Sequence, residues 1–256
     1  MDATTFALAA LAGFGAGFLD SIVGGGGLIM TPAMLNLFPE WAILNVIATQ
    51  RTSSIMGTTV AAVNYFRHVQ VSWRLVSAAC LAALLASAAG ATLAKRVDPN
   101  LLKWVILTLC VVLAAYTFMR KNLGVEHQPR FKGRAEWIAA AAVGLCTGFY
   151  NGLIGPGTGT LMVFAFVSVI GLDFLRASAV SKAANVAADL SSWSVLMLSG
   201  YVRWVVVLPL ILGNMLGSQL GSRLAILRGS RFVRYVFLGV VCALIAKLML
   251  DLYRSP

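Results

Sequence analysis

Charge is what this sequence has least of. Asp, Glu, Lys and Arg together make up 11% of its 256 residues, against roughly 25% in ordinary soluble domains. Acidic residues are scarcer still, nine against twenty basic ones. There are two histidines, His68 and His127, both in basic loops, so a histidine metal site is not expected. The four cysteines, Cys80, Cys110, Cys146 and Cys242, stand singly inside apolar runs. That spacing is neither a disulfide framework nor a zinc site, and it reads as small packing residues. No HExxH, GxSxG or Walker A pattern occurs, so the sequence offers no enzyme signature, no ATP-driven step and no call for a cofactor. Two-residue alternation of apolar and polar positions is also missing, which excludes a membrane β-barrel.

What is present is apolar. Hydrophobic residues make up 59% of the chain and the mean hydropathy is +0.86. Several uninterrupted runs approach the 20 residues that a helix needs to cross a bilayer. The fold class is therefore an all-α polytopic membrane protein. The net charge of +11 falls mostly in short loops between apolar runs. There it acts as a topology signal and a contact for anionic headgroups, so nucleic acid is not the partner. The lipid bilayer is, and a homo-oligomer is left open. The N-terminus, Met1-Asp2, lacks a positive n-region, so the first apolar run reads as structure and not as a cleaved leader.

The chain is organised around two glycine-rich interruptions. Gly24-Gly25-Gly26-Gly27 lies inside the first apolar run, and Gly155-Pro156-Gly157-Thr158-Gly159 lies in the fifth. Each Gly costs a helix interior about 1 kcal/mol relative to Ala, and Pro costs more. Both runs should therefore break, with the second pieces starting near Leu28 and near Thr160. Irregular backbone survives at membrane depth only where it faces protein or a water-filled cavity.

The two breaks are copies. At an offset of 131 residues Gly13 matches Gly144, Gly24 matches Gly155 and Gly26 matches Gly157. Farther on, Leu44 matches Leu175, Trp73 matches Trp204, Ser87 matches Ser218 and Gly90 matches Gly221. The chain divides into a first repeat (1–120), a basic linker (121–134) and a second repeat (135–256). Each repeat has four elements: 6–38, 42–66, 75–94 and 104–119, then 135–170, 177–199, 205–222 and 235–252. If every element crossed the membrane, the loop Lys and Arg would divide 9 against 8 between its sides. If the broken elements enter and leave on one side, the repeats are inverted and the division becomes 12 against 5. The second arrangement obeys the positive-inside rule and is preferred, with both termini outside.

Repeats with interrupted segments at matching positions point to the binding site of a secondary transporter. Two cations fall inside spans at matching positions, Arg51 and Lys182. Helical spacing puts Ser54 and Thr58 on the stripe of Arg51, and Asn185 and Asp189 on that of Lys182. A charge at bilayer depth costs from about 3 to more than 10 kcal/mol. Each cation therefore faces a cavity, a partner or an anion, or else snorkels to the headgroups. The helix ends beyond the breaks favour anions as well. The candidate anion-binding residues are Gly24, Gly25, Gly26, Gly27, Arg51, Ser54, Gly155, Gly157, Thr158, Thr160, Lys182 and Asn185. Asp20, at a position matching Asn151, either caps the loop amides or carries a coupling proton, and Asp189 is a second coupling candidate.

At these residues the sequence resembles the sulfite exporter TauE/SafE family. The resemblance rests on Gly17-Phe18-Leu19-Asp20-Ser21-Ile22-Val23 running into the four glycines and Leu28-Ile29-Met30-Thr31-Pro32. It rests also on Gly155-Pro156-Gly157 and on the Ser-Lys-Ala-Ala-Asn stretch ending at Asn185. It covers essentially the whole chain. It implies transport of a small anion across the cytoplasmic (inner) membrane, with sulfite and organosulfonates as the name-giving substrates. The second copy departs from the first at Pro156 and Thr158, so the halves need not contribute equally. A membrane scaffold or assembly factor, with breaks closed and dry, is the alternative, and an anion channel is a third reading.

Overall fold

A computed structural model describes residues 3–94, 124 and 126–254, with side chains to residue 243. The fourth expected span (104–119), Cys110 and linker residues 121–123 and 125 lie outside the described residues. Among the described residues every element is helical. In chain order these are α1 (Ala3–Val23), α2 (Gly26–Leu37), α3 (Ile43–His68), α4 (Trp73–Ala94), α5 (Arg134–Leu153), α6 (Thr158–Ala165), α7 (Phe174–Leu198) and α8 (Val207–Arg254). A π-helical turn, Phe166–Ile170, extends α6, and a 3-10 turn, Trp204–Val206, opens α8. Among the described residues three stretches, Ala3–Val23, Trp73–Ala94 and Trp204–Ala243, are long and apolar enough to cross a membrane. At 1.5 Å per residue, the 21 residues of α1 reach about 31 Å, the thickness of the hydrocarbon core.

Both breaks are real, and both are shorter than expected. α2 restarts at Gly26 and α6 at Thr158, two residues ahead of the expected starts in each case. In the first break the cause is a side chain. The Asp20 carboxylate accepts the Gly26 amide at 3.3 Å and draws the helix start back across two of the four glycines. Gly24 and Gly155, which match across the repeat, take nearly the same left-handed φ, +86° and +87°, open to glycine at no steric cost. Two further boundaries also differ from the sequence reading. The stretch between the two last expected spans is itself helical, and α8 is interrupted only at Gly229, φ +74°. Among the described cysteines Cys146 and Cys242 are exposed and Cys80 is part-buried. An outward face meeting lipid is as apolar as a core, so composition could not separate the two.

The packing repeats with the same offset as the sequence. α1 lies along the start of α8, and α5 lies along α4. Gly13 faces Leu210 and Gly17 faces Asn214, while Gly144 faces Ala79 and Gly148 faces Ala83. A Cβ on any of these four glycines would strike backbone of the facing helix. Small residues thus let parallel helices close to backbone contact, the usual device where lipid removes the hydrophobic drive for association. Gly90 against Phe149 and Gly221 against Phe18 repeat the relation from the other helix. The first repeat's α1 is therefore held by the second repeat's α8, and the second repeat's α5 by the first repeat's α4.

α2 folds back beside α1. Met30, Met34 and Phe38 share one buried cluster with Ala9, Ala16, Val206 and Leu210. A straight continuation would carry Phe38 far from Ala9, so α1 and α2 form a hairpin. At the other end of the molecule the basic loops gather. Gln70 and Ser72 share a pocket with His127, Glu136 and Arg176, and Ser230 donates to Asp173 at 3.0 Å. Apolar side chains such as Leu8, Leu11, Leu81, Leu85, Leu212 and Leu216 are exposed on the outer faces. Polar ones, Arg51, Lys182, Asn151 and Asp189 among them, are buried at the centre.

Candidate functional site

The two breaks lie against each other. The Gly24 carbonyl accepts the Thr160 amide at 3.0 Å, and Gly24 abuts Gly159 with no room for a Cβ on either. Beside this contact is a small cavity, within which the centre of a water-sized sphere can range over about 40 Å³. It is bounded by Asp20, Gly24, Gly26 and Gly27 from the first break, and by Gly155, Gly157 and Thr158 from the second. Arg51 and Ser54 enter from α3, and Asn185 and Asp189 from α7. Of the residues expected at the site, Gly25, Thr160 and Lys182 do not line this cavity. Sequence reasoning passed over three polar members, Gln50, Asn151 and Asn214. The match of Asn151 to Asp20 was the signal available for it. Gln50 had only its place beside Arg51.

Each cation sits at the C-terminal end of the opposite repeat's broken helix. Arg51 Nη2 donates to the Asn151 carbonyl, and Lys182 Nζ donates to the Asp20 carbonyl. The two bonds map onto each other at the 131-residue offset. The Asp20 carbonyl also accepts the Gly24 amide at 2.7 Å, so the ammonium takes its second lone pair; the last carbonyls of a helix carry the negative end of its dipole, which a cation stabilises. The neighbouring carbonyls of α1 are met in the same way: Tyr65 donates to Ser21 O at 2.9 Å, and Ser178 donates to Ile22 O at 3.3 Å. Burial of two cations inside the helical bundle thus has a local cause in the broken helices themselves.

Beyond this shared bond the halves differ. Lys182 is fully buried, and its ammonium also reaches Asp20 Oδ2 at 3.3 Å. Thr58 donates to that same oxygen at 3.1 Å, and Gly26 donates to Oδ1. Asp20 is therefore a cap and an ion-pair partner at once. In the other half the carboxylate belongs to α7. Asp189 accepts from Asn151 at 2.9 Å, from Ser54 at 3.2 Å and from Asn185 at 3.4 Å. Arg51 Nε lies 4.0 Å from Asp189 Oδ1. Arg51 Nη1 is buried and has no hydrogen-bond partner. Asn151 is the hub, since its Oδ1 also accepts from Ser87 at 3.2 Å and Ser192 at 3.3 Å.

The helix-end amides are mostly engaged. Gly26 N–H is taken by Asp20, Leu28 N–H by Gly25 O at 3.1 Å, Thr158 N–H by Gly155 O at 3.2 Å and Thr160 N–H by Gly24 O. Thr158 Oγ1 turns to Gly155 O at 2.6 Å, and Thr31 Oγ1 to Gln50 Oε1 at 3.0 Å. What borders the cavity is therefore two helix ends, whose dipoles point inward, and the Arg51 side chain, one of whose buried nitrogens has no partner. Among the described residues no group of His, Cys, Asp and Glu could hold a metal ion.

Apolar outer faces, a polar buried centre and two interrupted helices meeting at a cavity define a multi-pass helical membrane protein of the transporter type. The comparisons with known proteins agree. The model of the family described as "Sulfite exporter TauE/SafE" matches residues 9–248, and the chain belongs to that family. It is 32% identical over 242 residues to a "Probable membrane transporter protein ORF9" of Sinorhizobium sp., covering 94% of this chain and 91% of the relative. It is 30% identical over 237 residues to the "Probable membrane transporter protein YfcA" of Escherichia coli (strain K12), covering 92% and 86%. A "Probable membrane transporter protein" of Haemophilus influenzae is 29% identical over 242 residues, covering 93% and 92%.

Proposed function

We propose that the chain is a secondary transporter that carries a small anion of the sulfite or organosulfonate class across the cytoplasmic membrane together with a proton. The observation that carries the reading is the cavity between the breaks, with a buried guanidinium nitrogen that has no partner. A buried cationic donor left unpaired is costly, and an oxyanion is the natural ligand for a planar guanidinium. The charge balance supports the proton. Arg51 and Lys182 are already matched by Asp189 and Asp20, so an anion entering alone leaves one uncompensated negative charge in a low-dielectric site. Asp189, beside Arg51 and on the cavity wall, is where a proton removes that excess.

The two stretches 1–120 and 135–256, joined by 121–134, are read as inverted repeats. The recurrence of contacts at 131 residues supports this, as does the fold-back of α2 along α1. The end where loops 70–72, 127–136 and 171–176 meet then faces the cytoplasm. No catalytic step is assigned. The scaffold reading expects both cations paired internally around a closed centre. Lys182 meets that description. Arg51 is paired with Asp189 as well, but one of its buried nitrogens has no partner and its side chain borders a cavity. Flux of labelled sulfite into proteoliposomes, with and without an imposed pH gradient, tests the proposal. Saturable flux that follows the gradient is the expected result. Flux that neither saturates nor responds to pH would favour a channel, and none with any sulfonate or sulfite would leave the scaffold.

A further inference from the structure

We infer that the duplicated site is used only once: Arg51 alone holds the anion, which carries a single negative charge, and Lys182 with Asp20 is a structural clamp. The inference rests on the transporter reading and narrows its ligand to monoanions.

The argument starts from the matched pairs. Positions 20 and 58 in one half-site correspond to 151 and 189 in the other. Each pair holds one carboxylate and one neutral partner, but the carboxylate changes place: Asp20 with Thr58, then Asn151 with Asp189. This exchange decides what the cation can do. In the first half-site the residue whose carbonyl receives Lys182 is also the residue that carries the carboxylate. Lys182 Nζ grips Asp20 twice, at the carbonyl and at Oδ2, and the side chain is fully buried away from the cavity. Asp20 is saturated in turn by Thr58 and the Gly26 amide. Nothing is left over for a ligand, and what the cluster holds together is the end of α1, the start of α2, and α7.

In the second half-site the receiving residue is neutral Asn151, and the carboxylate has moved across to α7. Asp189 draws its hydrogen bonds from Asn151, Ser54 and Asn185, three neutral donors, and keeps Arg51 only at 4.0 Å. Arg51 is thereby anchored through Nη2 to the Asn151 carbonyl, its side chain borders the cavity, and its buried Nη1 stays without a partner. Gly155, whose absent Cβ would come within 2.9 Å of Nη2, leaves the guanidinium the space to lie there. One guanidinium with an unpartnered nitrogen, and its own counter-carboxylate nearby, balances one negative charge when that carboxylate is protonated. A dianion would leave an excess charge in the same place.

The test uses methanesulfonate and sulfate, tetrahedral oxyanions of similar size with one and two charges, and binding to purified protein in detergent. On the unaltered chain, methanesulfonate is expected to bind at least about tenfold tighter than sulfate, a difference of about 1.4 kcal/mol. Sulfate binding as tightly or more tightly would overturn the single-cation site without touching the transporter reading. Arg51→Met is expected to lose methanesulfonate affinity by about tenfold or more. Unchanged affinity in that variant would remove the anion site itself. Lys182→Met alone is expected to lower the thermal midpoint, because it strands the Asp20 carboxylate. The double variant Asp20→Asn/Lys182→Met removes both charges, keeps an oxygen for the Gly26 amide, and copies the Asn found at position 151. It is expected to recover the midpoint and, because Asp20 borders the cavity, is read by its preference: methanesulfonate should still bind at least about tenfold tighter than sulfate. A folded double variant that no longer binds would show that Lys182 supplies part of the field and would sink the inference. Should the double variant not fold, the comparison of one and two charges on the unaltered chain still decides.

Discussion

Replacing either left-handed glycine by alanine should separate folding from binding. Gly24 and Gly155 match across the repeat and share φ within a degree. In both, a Cβ in the left-handed region costs roughly 1–2 kcal/mol. Their surroundings differ. At Gly24 the new methyl would run into the backbone of Gly159 and the amide of Thr160, which cannot move without parting the two breaks and losing the 3.0 Å bond from Thr160 to Gly24. Overpacking of that kind adds about 1–3 kcal/mol, so Gly24→Ala should cost about 2–5 kcal/mol in all. At Gly155 the nearest atom is Arg51 Nη2, 2.9 Å away, the far end of a flexible side chain. Gly155→Ala should therefore cost little beyond the conformational penalty, but it should displace the guanidinium. The assay is a thermal midpoint by size-exclusion of heated, detergent-purified protein, paired with methanesulfonate affinity. Gly24→Ala should show a large drop in midpoint. Gly155→Ala should keep most of its midpoint and lose affinity severalfold. Equal midpoints for the two variants would refute the reasoning, because then the contact between the breaks carries no weight.

Three further outcomes are expected. Asp189→Asn keeps an oxygen for Asn151 but cannot take up a proton at neutral pH, so flux in proteoliposomes should lose its dependence on an imposed pH gradient. Dependence that persists would move the coupling group elsewhere. Single cysteines at Arg74 and Arg228, in a cysteine-free background, should react with an impermeant reagent from the cytoplasmic side, and one at Arg203 from the other; positions 74 and 228 on opposite faces would end the inverted arrangement. His127, in the loop before α5, is held below its ordinary 6.5, first by desolvation and then by Arg176. The unfolded chain takes up this proton more readily, so the stability contributed by the group is present above about pH 6.5 and is lost as pH falls through the lowered value. A midpoint that declines on acidification less in His127→Gln than in the parent is the expected reading.

How far the sequence could be read depended on which physical rule applied. Four glycines in an apolar run break a helix in any context, so the interruption was legible. Its length was not, because the helix start was set by a carboxylate six positions upstream. Asp20 carried two readings, cap and proton carrier, and the hydrogen bonds it makes are those of a cap. Lys182 and Arg51 looked equivalent because their positions match and a charge costs the same at either. Which of them faces open space depended on where the carboxylate lies, and that required the partner helices. The cysteines failed for a different reason. Cys146 and Cys242 sit among apolar neighbours whether those neighbours face lipid or core.

The sequence by itself determined the class, the duplication and the residues that break the two helices. These follow from local costs: apolar length against bilayer thickness, the backbone freedom of Gly and Pro, and matches at one offset. The tertiary structure decided that each repeat's cation caps the other repeat's broken helix. It also decided that one of those caps is closed and the other has a nitrogen to spare. Those outcomes depend on contacts between residues 100 and 162 positions apart. No periodicity along the chain encodes them, because the partner of a buried charge is chosen by which helices touch.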